Sequence, residues 1–129
     1  MPLFASISDA DAEVLAKQLE AKLDVSMARG AQLTTPDFRP WLPVRSKDIS
    51  PFYWDRYRKL LVQQGLPPGV ISSLDEVTDR ITGLLEDPEK AAPWSRRGMV
   101  VGHVQSGKTA NYSGVICKAA DAGYRLIIV

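Results

Sequence analysis

All nine prolines of this chain fall at or before Pro93, and residues 94–129 contain none. Proline fixes φ and removes an amide donor, so it interrupts helices and is kept out of central strands. Two regions are therefore expected. In residues 1–97, proline-marked breaks separate helical patterns, whereas residues 98–129 read as apolar run, glycine loop, helix and apolar run. The 129 residues are 45% hydrophobic and 24% charged, which suits an ordinary globular chain. Sixteen Lys plus Arg against fifteen Asp plus Glu leave a net charge of +1, which excludes a polybasic or polyacidic tail as the main device. One cysteine and one histidine exclude an internal disulfide and a structural zinc site. No stretch approaches the roughly 20 apolar residues of a membrane span, and the opening MPLFASISDADAE lacks a basic segment followed by an apolar one. The expectation is a cytoplasmic protein with no membrane partner.

Three helices are expected before residue 98. Ser8 caps the first, with Asp9 and Asp11 in its opening turn and Ala12, Leu15, Ala16, Leu19 and Leu23 at helical spacing. The second begins at Ser50 with Pro51 in the first helical position, carries Tyr53, Tyr57, Leu60 and Leu61 on one face, and stops at Gly65 before Pro67 and Pro68. The third opens on the Ser73 to Glu76 capping-box spacing, presents Val77, Ile81, Leu84 and Leu85, and ends at Asp87-Pro88. Residues 24–49, with Pro36, Pro40 and Pro43, read as an extended connection.

The chemistry sits at Gly102-His103-Val104-Gln105-Ser106-Gly107-Lys108-Thr109, which matches the phosphate-binding pattern G-x-x-x-x-G-K-[ST] at every fixed position. The two glycines allow a tight turn close to phosphate, and amides from about Val104 to Thr109 can point at a triphosphate. Lys108 can reach the β- and γ-phosphate oxygens, and the Thr109 hydroxyl is placed to ligate magnesium. In that role Lys108 and Thr109 are the catalytic candidates, and all eight residues are nucleotide contacts. His103 occupies a variable position where backbone does the binding, so it is assigned no catalysis. The context fits a strand, loop, helix and strand. Gly98-Met99-Val100-Val101 enters the loop, Lys108 to Ala122 forms a proline-free helix with Tyr112, Val115, Ile116 and Ala119 on one face, Gly123 stops it, and Tyr124 to Val129 supplies a second apolar run. The fold class expected is α/β: an N-terminal helical region over residues 1–97, then the start of a P-loop NTPase parallel sheet over 98–129, cut off after its second strand.

The segment RRGMVVGHVQSGKTANYSGVICKAADAGYRLIIV resembles the motif I region of the Z-one domain family of bacterial and phage proteins. That family is described as endonucleases with a P-loop ATPase similar to superfamily-two helicases, and some members are linked to restriction or phage defence. The resemblance covers residues 94–129 closely and extends more weakly to LPPGVISSLDEVTDRITGLLEDP. It implies ATP and magnesium as ligands through Gly102, Gly107, Lys108 and Thr109, and DNA as the substrate of the complete protein. It places the second acidic motif, any arginine finger and any nuclease centre beyond Val129. Two parallel strands without neighbours or cover point the same way, so the 129 residues are expected to be a fragment, poorly soluble or only partly ordered around 98–129, and not competent as an ATPase alone.

Other residues invite functional readings. Glu86-Asp87-Pro88-Glu89-Lys90 has the composition of a magnesium nuclease centre but lies at a helix end. Cys117 sits in mid-helix and reads as a small packing residue. Phe38 to Lys59 holds six of the ten aromatics together with Arg39, Arg45, Lys47, Arg56, Arg58 and Lys59, against only Asp48 and Asp55. Such interleaving can stack bases and neutralise phosphates, although Tyr53 and Tyr57 on the Leu60 and Leu61 face also read as core. Trp94 with Arg96 and Arg97 can stack on an adenine or pack against the helical region. Two other classes use the same loop: a helical adaptor for a protein partner with nucleotide as a structural ligand or switch, and a small P-loop kinase.

Overall fold

The computed structural model describes Val14, residues 31–101 and residues 107–129. The helix expected from Ser8 through Leu23 and the loop residues Gly102, His103, Val104, Gln105 and Ser106 lie outside the described residues, Val14 apart. Among the described residues four helices are delimited, in chain order: α1, Leu42–Arg45; α2, Phe52–Gln63; α3, Pro68–Leu84; and α4, Lys108–Ala122.

Each long helix is punctuated by residues visible in the sequence, with tertiary contacts adjusting the ends. Pro51 is the N-cap of α2 and supplies no side-chain cap, so the first amides are met from elsewhere in the fold. The Tyr53 and Trp54 amides donate to the two carboxylate oxygens of Asp121 on α4, at 2.8 and 3.0 Å. Gly65, at φ +83°, then turns the chain after α2. Pro68 opens α3 instead of closing α2, because a proline at the first helical position loses no intrahelical bond. The Ser73 to Glu76 spacing therefore falls inside α3 and is not its start. The connection expected to be extended contains the single turn α1, anchored by buried Trp41, whose indole donates to the Leu85 carbonyl at 2.6 Å.

The core lies where α2, α3 and α4 meet. Trp54 and Leu61 from α2 pack with Ile71 and Leu74 from α3, and Tyr57, Leu66 and Ala110 cover them. Helix α2 runs antiparallel to α4: its start meets Asp121, while the Tyr57 hydroxyl donates to the Ala110 carbonyl at 3.2 Å. Helix α3 runs parallel to α4, with Thr78 against Gly114 and the Tyr124 hydroxyl donating to the Glu86 carbonyl at 2.5 Å. Gly114 permits the close approach, since a Cβ there would stand 2.9 Å from Thr78 Cγ2 and 3.2 Å from Trp54. The buried stripe of α3 is Ile71, Leu74, Thr78 and Thr82, one face round from the expected Val77 and Ile81.

The expected α/β class is overturned. The architecture is helical, and among the described residues there is no strand. Among the described residues Gly98–Val101 and Tyr124–Val129 take no ladder partner, and Tyr124 apart their apolar side chains are largely exposed: Met99 is 86% exposed, Val101 81%, Ile128 86% and Val129 92%. Apolar content alone does not make a strand. A parallel strand is stabilised by neighbours on both edges and by cover on both faces, and two short runs supply too few hydrogen bonds and too little burial for a sheet. The helix between them has a better alternative in α2 and α3.

Candidate functional site

Gly107, Lys108 and Thr109 are the described part of the phosphate-binding motif, and they form the entry to α4. Gly107 is the N-cap at φ +71°, ψ +31°, a left-handed conformation. A Cβ there would meet nothing within 4 Å, so backbone conformation, not space, is what favours glycine. Gly107 brings no side-chain cap, and the first turn of α4 contains no acidic residue. Neither the N-cap nor the first turn therefore supplies a side chain that compensates the positive end of the helix dipole. Lys108 and Thr109 are exposed on that turn, whereas Ala110 packs on the core beside Tyr57. The helix starts and stops where the sequence placed it, with Gly123 at φ +117° ending it. Its buried face, however, is Gly114, Lys118, Ala119 and Ala122, and Tyr112 is 49% exposed.

The other sequence candidates disperse. Trp94 stacks edge-on against Tyr124, with ring centroids 6.3 Å apart, and Arg96 pairs with Glu86 at 3.1 Å while lying 5.0 Å over the Phe38 ring. Tyr124 follows the C-terminus of α4, whose 15 residues span about 22 Å. Trp94 is therefore at the opposite end of the helix from Lys108, too far to stack on a base whose phosphates rest there. The carboxylates of Glu86, Asp87 and Glu89 are taken up by cations: Arg45 contacts Asp87 at 2.5 Å and Glu89 at 3.2 Å, and Glu86 contacts Arg96 and Lys90. Among the described residues no group of His, Cys, Asp and Glu is arranged to hold a metal ion. Cys117 is half-buried, and burial followed by the Asp121 charge pushes its thiol up, which keeps it protonated.

The aromatic and basic segment divides by depth. Trp41 and Trp54 are buried, and Tyr57 is half-buried, where burial raises its phenol. Phe52 and Tyr53 are exposed on α2, with Arg56 stacked 3.4 Å over the Phe52 ring and Arg58 paired with Asp55. Tyr53 and Leu60, expected as core, are thus surface residues.

Sequence reasoning missed a charged cluster around Lys118. Its ammonium donates to the Asp75 carbonyl at 2.8 Å, to Asp75 Oδ1 at 2.5 Å and to Asp79 Oδ1 at 2.6 Å, and lies 4.3 Å from the Trp54 ring centroid. A usable signal existed. Asp75 and Asp79 are four apart on one helix, a like-charge spacing that is unfavourable unless a cation sits between them. No helix among the described residues is long and apolar enough to cross a membrane. Comparison with known protein families, curated proteins and solved structures finds no match.

Proposed function

We propose that the chain binds ATP with magnesium at Gly102 to Thr109, with the triphosphate at the N-terminus of α4. The observation that carries this reading is Gly107 in the left-handed conformation directly before a 15-residue helix that opens with exposed Lys108 and Thr109. A left-handed glycine turns successive amides toward one side, and the helix field adds attraction for an anion. Lys108 supplies a point charge to the β- and γ-phosphates, and Thr109 supplies a hydroxyl to the magnesium they bind. The resemblance to the Z-one domain family extends this reading to ATP-dependent action on DNA by the complete protein in the cytoplasm. On that extension the exposed Phe52, Tyr53, Arg56, Arg58 and Lys59 of α2 are the DNA-facing candidates.

The helical packing of α2, α3 and α4 favours a second reading, in which nucleotide is a ligand or switch of a helical module that engages a protein partner. Titration calorimetry separates the roles. Lys108→Ala is expected to weaken magnesium-ATP binding at least about tenfold, the value of one charge-assisted contact. Thr109→Ala is expected to weaken binding in magnesium and leave the metal-free affinity nearly unchanged. Undiminished binding by Lys108→Ala rejects the site, and steady turnover by the parent, lost on Lys108→Ala, rejects the switch.

A further inference from the structure

Between the 31–41 arm, α1, α2, α3 and α4 lies an open cleft of about 640 Å³, within the range of sites for small organic ligands. Its apolar lining includes Phe38, Pro40, Pro43, Ile49 and Trp54. Its polar lining includes Asp75, Asp79, Asp121 and Thr82, with Lys118 and Arg80. None of these residues belongs to the phosphate-binding motif, and Lys118 and Asp121 lie in the C-terminal half of α4.

The hydrogen-bond inventory decides which ligand fits. A lysine ammonium has three donors, and Lys118 commits all three to Asp75 and Asp79. It has nothing left for an anion. The two carboxylates give Lys118 only Oδ1, and their side chains remain 43% and 61% exposed, so negative acceptors face the cleft. Thr82 is 1% exposed and lines the same cleft, yet its hydroxyl has no hydrogen-bond partner among the described residues. Thr78, one turn earlier, returns its hydroxyl to the Leu74 carbonyl at 2.7 Å, which is how a buried helical threonine is ordinarily satisfied. An orphaned buried hydroxyl is costly, and a ligand atom in the cleft would relieve it.

We infer that this cleft binds a small organic cation: a primary amine on an aromatic or otherwise apolar body, with the ammonium on Asp75 and Asp79 and the body against Phe38, Ile49 and Trp54. The carboxylates select positive charge, the apolar lining selects the body, and the Thr82 hydroxyl takes a polar substituent or a bridging water.

The test uses the full chain with ¹⁵N-labelled indoles and 2-phenylethylamine as probe, with 2-phenylethanol and 3-phenylpropionate as neutral and anionic controls. The amine is expected to move the Trp54 indole resonance saturably, the alcohol more weakly, and the carboxylate not at all. Asp79→Asn, at a largely exposed side chain that leaves Lys118 held by Asp75, is expected to weaken the amine about tenfold. Lys108→Ala is expected to leave it unchanged, so failure at the nucleotide site and failure here read separately. No saturable shift, equal affinity for the three probes, or an Asp79→Asn variant that binds as the parent does would each overturn the assignment.

Discussion

The packed helices and the two apolar runs that flank α4 are built from similar residues and meet opposite fates. Leu61, Ile71 and Leu74 are buried to 3%, 7% and 1% exposure, whereas Met99, Leu126 and Ile128 are 86%, 78% and 86% exposed. Hydrophobicity does not separate them; access to a partner does. A helix satisfies its own backbone and needs only one covered stripe, so α2, α3 and α4 can complete one another within a few tens of residues. A parallel strand must borrow both its hydrogen bonds and its cover from other elements. The difference locates the stability of the described chain in the three-helix contact.

The largest expected effect tests that location. Trp54→Ala removes the largest side chain of the cluster it forms with Leu61, Ile71 and Leu74, together with the ring beneath Lys118, and is expected to cost about 3–5 kcal/mol in chemical denaturation. A loss under about 1 kcal/mol would mean that the core does not rest on the α2–α3–α4 contact.

What could be read in the sequence follows the same division. Helix α4 was legible to its ends because Gly107 and Gly123 are local signals, and the end of α2 was legible from Gly65. The buried faces were less so. Lys118 is buried because Asp75 and Asp79 reach it across 43 and 39 positions, and the start of α2 is capped by Asp121 across 67 and 68 positions. No window of local sequence contains such pairs. The strands failed for the related reason that an apolar run reports only a demand for burial, and the partner that meets it is not written in the run.

A second, smaller effect sits at the boundary between the two regions, where Tyr124 reaches the Glu86 carbonyl and Glu86 pairs with Arg96. Burial would raise the Glu86 carboxyl, but the Asp87 amide, Arg96 and Lys90 outweigh it and hold the group below the ordinary carboxylate value. A depressed folded pKa gives a contribution that is present above the unfolded value and lost as pH falls through the folded one. Stability is therefore expected to decline on acidification below about pH 4.3. Glu86→Gln is expected to flatten that acid limb in pH-resolved denaturation, and an unchanged limb would remove Glu86 from the account.

The smallest expected effect bears most directly on the exposed runs. Ile128 is 86% exposed in a proline-free segment of β-prone residues, Tyr124 to Val129. If that segment contributes nothing to the helical fold, Ile128→Lys should leave the denaturation midpoint within about 0.5 kcal/mol of the parent. The same substitution places a charge in a run with the composition of an aggregation-prone edge, so it should lower self-association measured by light scattering as concentration rises. The two readouts are independent. Lower association at constant stability keeps the contrast between packed helices and unpartnered runs. A loss of more than about 2 kcal/mol, the scale of a buried side chain, would show that Ile128 is covered in solution and would move the run into the core.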